Sequence, residues 1–216
     1  MTTFFHDSDY EKYIELMREW CGKCGVQIWA YCLMPNHVHL IAVPSGEDGL
    51  AGAIGEAHRR YTRHINFREG WRGFLWQGRF GSFVMDEDYL ATAARYVEMN
   101  PVRAGIVKKP WDYKWSSANA HITEKDDGLA LVKPLLDRYG NWAKFIYQGL
   151  DDKVVDAMRK HSRTGRPLGG DRFVKRLEKK LGRTLAPLKG GRPKKEKNPY
   201  CVPNVANLSP NQLFLL

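Results

Sequence analysis

Between Val26 and Val43 the chain carries two apolar, β-prone stretches, Val26–Met34 and His37–Val43, with only Pro35-Asn36 between them. Extended segments joined by so few residues pair as a β-hairpin or form one strand broken by a tight turn. The second stretch opens with His37-Val38-His39. On a strand, successive side chains alternate between faces, so both imidazoles point one way and Val38 the other. Two histidines on one face form half of a site for a divalent metal. The bland alternative is a pair of half-buried imidazoles hydrogen-bonded to backbone, and the apolar runs on either side argue against an incidental exposed pair.

Helical periodicity surrounds this hairpin. Ser8-x-x-Glu11 reads as a capping box, followed by Tyr10, Tyr13, Ile14, Met17 and Cys21 at helical spacing, with Gly25 as the stop. Leu50, Ile54, Ala57, Tyr61 and Ile65 form a second stripe, with Arg59, Arg60 and Arg63 on its other faces. The stretch from Arg68 to Gly81, rich in Gly, Arg and Trp, reads as loop, and Ser82–Met85 as a short strand. Asp86 is placed to cap a third helix bearing Leu90, Ala93, Ala94 and Val97, which should end near Asn100 because Pro101 disfavours helical geometry before it. This alternation predicts an α+β or α/β fold. Past Ser116 the pattern breaks into shorter helical pieces, with Asp171–Gly182 the clearest.

With 216 residues and 43% apolar content, the chain can form one domain, or one domain and an extension, around a real core. Four cysteines are too few for a disulfide-stapled mini-fold, and no apolar run approaches the length of a membrane span. The start, Met1-Thr-Thr-Phe-Phe-His-Asp, lacks a basic leader, so the cytoplasm is the expected address. The net charge of +10 is concentrated: residues 153–197 hold 16 Lys+Arg against 4 Asp+Glu, and the rest of the chain holds 18 against 20. A basic block of that kind usually meets phosphate, the alternative being a solvated tail.

Two further patterns bear on chemistry. Cys21-x2-Cys24-x12-His37 opens like a Cys2His2 zinc finger, but the next histidine follows after one residue and Pro35-Asn36 leaves no room for the finger helix. Cys21 and Cys24 then read as small hydrophobes at a helix end. On a helix Tyr96 and Asn100 share a face. A phenol can attack phosphorus and form a covalent intermediate when a cation activates the phosphate. Nothing in the composition singles out Tyr96 among ten tyrosines, and a helical tyrosine with apolar neighbours is usually core.

These segments together resemble the single-tyrosine HUH transposases, and within them the REP-associated tyrosine transposases of the IS200-like class. The resemblance rests on Ala30-Tyr-Cys-Leu-Met-Pro-Asn-His-Val-His-Leu-Ile41, Trp76-Gln-Gly-Arg-Phe80, Tyr89-Leu90, and Arg95-Tyr-Val-Glu-Met-Asn-Pro-Val-Arg-Ala-Gly-Ile-Val107. Trp115-Ser-Ser117 and Thr164-Gly-Arg-Pro-Leu168 also fit. It implies a ferredoxin-like α/β sandwich with an antiparallel sheet over residues 1–120, followed by a mainly helical, basic extension over 121–216 expected to hold DNA. It implies Tyr96 as the nucleophile that forms a 5′-phosphotyrosine link in single-stranded DNA carrying hairpins. His37, His39 and Asn100 are then the ligands of Mg2+ or Mn2+, and a homodimer is the expected assembly. Imidazole favours Mn2+, with phosphate oxygens and water supplying the harder ligands. Arg79, Arg103, Arg166, Arg192, Lys194 and Lys195 are the candidate DNA contacts, the last three within a segment resembling a minor-groove hook. The alternative function is a hairpin-binding regulator descended from a transposase and without chemistry.

The resemblance also implies a first strand ahead of Phe4-Phe5-His6-Asp7 that this sequence lacks. The expectation is a sheet with an unpaired edge beside the histidine-bearing strand.

Overall fold

The computed structural model describes residues 2–186 and the backbone of 213–215. The chain begins with helix α1, Asp7–Cys24, then strands β1, Val26–Met34, and β2, His37–Pro44. Helix α2, Gly49–Glu69, leads through a loop to β3, Phe83–Met85, and α3, Glu87–Arg103. A 3-10 turn at Pro110–Asp112 precedes α4, Ala118–Thr123, α5, Lys133–Tyr139, α6, Trp142–Ile146, α7, Asp152–Thr164, and α8, Asp171–Leu181. Strand β4, Leu213–Leu215, is the last described element. The architecture is mixed α+β, with an antiparallel sheet and a mostly helical C-terminal part.

β1 and β2 form the hairpin, pairing from Val26 with Pro44 to Met34 with His37 around the turn at Pro35-Asn36. Every residue of β1 from Ile28 to Met34 is buried, so both faces of the hairpin are covered. Helices α1 and α2 pack on each other and on β1, while α3 packs on β1 and β2. Between α1 and α2 sits an aromatic cluster of Phe4, Tyr10, Tyr13 and Tyr61, in which Phe4 stacks on Tyr10 at 4.4 Å and Tyr10 on Trp115 at 4.6 Å. The outer edge of β1 is covered by the downstream chain: Leu33 donates its N–H to the Trp115 carbonyl, and Leu131 donates to the Ile28 carbonyl, both at 2.8 Å. That disposes of an exposed sheet edge, which would invite pairing with another chain.

The sheet order is β1-β2-β4-β3. The position beside β2 for which the resemblance implies a first strand is therefore filled, by the far end of the chain. Phe214 pairs with Ala42 on one side and Val84 on the other. The expected open edge is not present: backbone hydrogen bonding is indifferent to which stretch of sequence supplies the strand.

Three local expectations are corrected. The start of α1 is organised by Asp9, whose carboxylate accepts from the N–H groups of Phe5 and His6 at 2.8 and 3.1 Å, rather than by a Ser8/Glu11 box. Asp9 is fully buried and also ion-paired to Arg68 of α2, so the cap is set by a tertiary partner. Helix α3 runs past Asn100 to Arg103 with Pro101 inside. Here the Asn100 amide donates to the Tyr96 carbonyl at 2.7 Å and lies 3.5 Å from the Val97 carbonyl, the group that loses its partner to the proline ring. Asp86 occupies the N-cap position, but its carboxylate accepts from Gly170 N–H at 2.9 Å instead of capping.

Candidate functional site

His37 and His39 lie on one face of β2, as strand alternation requires. Their Nε2 atoms stand 3.0 Å apart. The Nδ1–H of His37 donates to Asn36 Oδ1 at 2.6 Å, which leaves Nε2 as the nitrogen carrying the lone pair. Two such nitrogens approach that closely only with a proton or a cation between them. Two imidazole nitrogens bound cis to one metal at about 2.0–2.1 Å would be about 3.0 Å apart, so the pair fits a divalent ion. Desolvation by its neighbours holds the His37 imidazole below its usual pKa, a shift toward the neutral form that a metal ligand requires. Among the described residues, no three His, Cys, Asp or Glu side chains gather as a metal cluster, so remaining ligands would have to come from elsewhere.

The ring of His39 meets the ring of Tyr96 edge to face at 5.4 Å. Tyr96 reaches this point because α3 crosses β1 and β2, and because Arg103, two turns on, lays its guanidinium over the phenol ring at 5.2 Å. Asn100 follows one turn after Tyr96. Because its Nδ2 is spent on the Tyr96 carbonyl, the lone pairs of Oδ1 remain unused by that bond. His39 and Tyr96 line a cavity of about 260 Å³ together with Phe83, Met158, Arg159, Ser162 and Arg163.

The last four residues belong to α7, and nothing in the sequence pattern marked them for this site. Arg159 faces the Tyr96 side chain across this cavity, and their interaction raises the guanidinium above its ordinary pKa. A signal was available: Met158, Arg159, Ser162 and Arg163 share one face of a helix, but they sit inside the basic block, where every face looks alike. A second omission is Glu98. It is fully buried and accepts hydrogen bonds from Ser117 Oγ, Trp142 Nε1 at 2.7 Å and His121 Nδ1 at 2.7 Å. Ser117 in turn donates its N–H to the Tyr31 carbonyl of β1 at 3.0 Å. Glu98 thus clamps α3 to β1 from behind, two residues from the phenol. An acid embedded in an otherwise apolar stripe was its signature.

The other candidates are dispersed. Arg79 is exposed and lines a different cavity. Arg166 lies in the loop after α7, where its carbonyl accepts from His161 Nδ1 at 2.9 Å, and Leu168 from the same loop pairs with β3. Arg192, Lys194 and Lys195 lie outside the described residues. Cys21 is buried in α1, its thiol pushed up to about 12 by burial, while Cys24 is half-buried at the end of the helix.

Residues 2–100, which contain the histidine pair and Tyr96, match the family profile described as "Transposase IS200 like". Over this part the chain is similar to the IS200-like transposases. A protein of Haemophilus influenzae named "Putative REP-associated tyrosine transposase" is 26% identical over 116 residues, 49% of this chain and 66% of its own length. The "REP-associated tyrosine transposase" of Escherichia coli K12 is 25% identical over 97 residues, 44% of this chain and 56% of its own. The chain thus spans somewhat less than two thirds of each of these distant homologues. No solved structure gives a significant match. Among the described residues, no helix is long and apolar enough to cross a membrane.

Proposed function

We propose that this chain is a metal-dependent DNA strand transferase that cleaves and rejoins single-stranded DNA at hairpin sequences through Tyr96. The observation that carries this reading is the meeting of His37, His39 and Tyr96: two convergent imidazoles, one in ring contact with a phenol that two arginines surround. A catalytic tyrosine acting on a phosphodiester needs this neighbourhood, with positive charge where the phosphate must sit.

In the reaction, Tyr96 Oη attacks phosphorus and the P–O3′ bond breaks. The departing oxygen leaves as a 3′-hydroxyl, carrying the proton the phenol gives up, and a 5′-phosphotyrosine remains. Another 3′-hydroxyl attacks that linkage and returns the proton to Tyr96, so rejoining consumes no ATP. Arg159 and Arg163 offset the charge that builds on the non-bridging oxygens, and Arg103 holds the phenol ring in place. His37, His39 and Asn100 would hold Mg2+ or Mn2+, which polarises the scissile phosphate when bound. The catalytic unit is a ferredoxin-like sandwich of residues 1–120, its sheet completed by β4 from the extension. The extension 121–216 supplies the α7 wall and the DNA-holding basic block, and the enzyme works as a homodimer.

The test uses purified protein, a hairpin oligonucleotide from the flanks of its own gene, and Mn2+ or Mg2+. A protein–DNA adduct on a denaturing gel, absent with Tyr96→Phe and with His37→Ala, is the expected result. Hairpin binding without an adduct under both metals would instead establish a binding protein without chemistry. Activity with Zn2+ alone would overturn the metal assignment.

A further inference from the structure

A second cavity, of about 830 Å³, lies apart from the one that holds Tyr96. It lies between the outer face of α2 and the loop that follows, and Trp76, His58, Phe74, Phe80, Arg59 and Arg79 line it. Trp76 and His58 stack at 4.0 Å, nearly parallel. Burial holds the His58 pKa down to about 4, so this stack is a neutral aromatic surface at physiological pH. Phe74 is 94% exposed and Phe67, on the neighbouring turn of α2, 91%. Exposing large aromatic rings to water is unfavourable, and nothing in the fold requires it of these two. The basic residues fall between the aromatic ones: Arg59 and Arg79 on this cavity, Arg63 and Arg72 on the adjoining one with Phe67 and Trp71.

We propose that this cavity is a binding site for unpaired nucleotides of single-stranded DNA, with a base stacked on Phe74 over the Trp76–His58 floor and its phosphates on Arg79 and Arg59. Interleaved aromatic and arginine side chains on an open surface are what strand binding without sequence readout requires, because every base has a π-face and every step a phosphate. Apolar walls without the arginines would suit a small hydrophobic ligand; the charge complementarity favours a polyanion. The location supports the same occupant. Phe80 lines this cavity and Phe83, three residues later, lines the Tyr96 cavity, so the two linings are joined by at most about 11 Å of chain.

This inference rests on the strand-transferase reading and deepens it by naming a second contact with the substrate. The test measures binding of the full chain to the gene-flanking hairpin with and without a single-stranded extension of about ten nucleotides, made as DNA and as RNA, a length within the span that such surfaces cover. Phe74→Ala and Arg79→Ala should each weaken binding of the DNA-extended oligonucleotide by about ten-fold, and Phe74→Ala should leave the blunt hairpin unaffected. Both side chains are exposed, so both variants should keep the wild-type melting temperature. 2-Aminopurine placed along the extension should be quenched on binding at one or two positions, and Phe74→Ala should abolish that quenching. If wild type forms the Tyr96 adduct but binds the blunt and extended hairpins equally and independently of Phe74, the cavity assignment is wrong and the transferase reading stands. Wild type that binds no DNA overturns both. Tighter binding of the RNA extension than of the DNA one overturns the assignment of the occupant.

Discussion

A few buried polar side chains decide where the reactive ones point. Glu98 receives three donors from two segments, Ser117 and His121 at α4 and Trp142 at α6, and no water can replace them at full burial. Glu98→Gln presents an amide N–H where one of those donors already points. We expect a loss of about 1–3 kcal/mol of stability in thermal unfolding, and a larger loss of adduct formation than of hairpin binding, because α3 carries Tyr96 and the α2 cavity does not depend on it. His58 makes a pH prediction. It titrates near 6.5 when unfolded and at about 4 when folded, because burial penalises the imidazolium. The unfolded chain therefore takes up a proton first as pH falls. The neutral ring's contribution is fully present above pH 6.5 and is lost between 6.5 and 4, to a limit of about 3 kcal/mol. The melting temperature should fall from pH 7 to pH 5, and His58→Phe, which keeps a ring against Trp76 but cannot protonate, should show a shallower fall.

The elements are held in register by partners far away in sequence. β2 carries the histidines, and β4 fixes its inner edge at Ile41 and Ala42 while pairing with all of β3. A proline cannot occupy the middle of a central strand, since it removes a donor and restricts φ. Phe214→Pro should therefore uncouple β3 from β2, with a drop in stability of about 1–3 kcal/mol and faster amide exchange at Ala42 and Val84. A melting curve and exchange profile unchanged from wild type would mean that β2 and β3 do not depend on this strand. Helix α7 binds to the same region from the other side. It packs on α3 and β3, and its Ser162 carbonyl lies 3.2 Å from where a side chain at Gly81 would begin. Any larger residue at position 81 would push α7, and with it Arg159, away from Tyr96.

Over the whole molecule, the positive charge is concentrated away from the histidine pair. The excess of basic residues lies in 153–197, and among the described residues of that block Arg159 and Arg163 line the Tyr96 cavity. Neutralising Arg192, Lys194 and Lys195 together should leave adduct formation at saturating DNA intact. It should also lower the slope of log affinity against log salt by about 0.7 for each phosphate that the side chains cease to neutralise, as titrations at several salt concentrations would read. Much of this protein was legible in one dimension. The hairpin, the face shared by His37 and His39, and the helical stripes of α1, α2 and α3 follow from periods of two and 3.6 residues and from turn chemistry, which are local properties. The spacing of the motifs around them was enough to point to the family. Folding in three dimensions decided the remainder, because each such feature depends on a contact between segments that sequence distance hides. Asp9 became a cap through Arg68, 59 residues away. Leu213–Leu215 became an interior strand although three apolar residues after a long uncharged stretch carry no register of their own. Tyr96 was told apart from the other tyrosines by a histidine ring on a different strand and an arginine on a helix 63 residues further on. Periodicity predicts which face of an element is buried, whereas the identity of the group it is buried against is set only when the chain closes on itself.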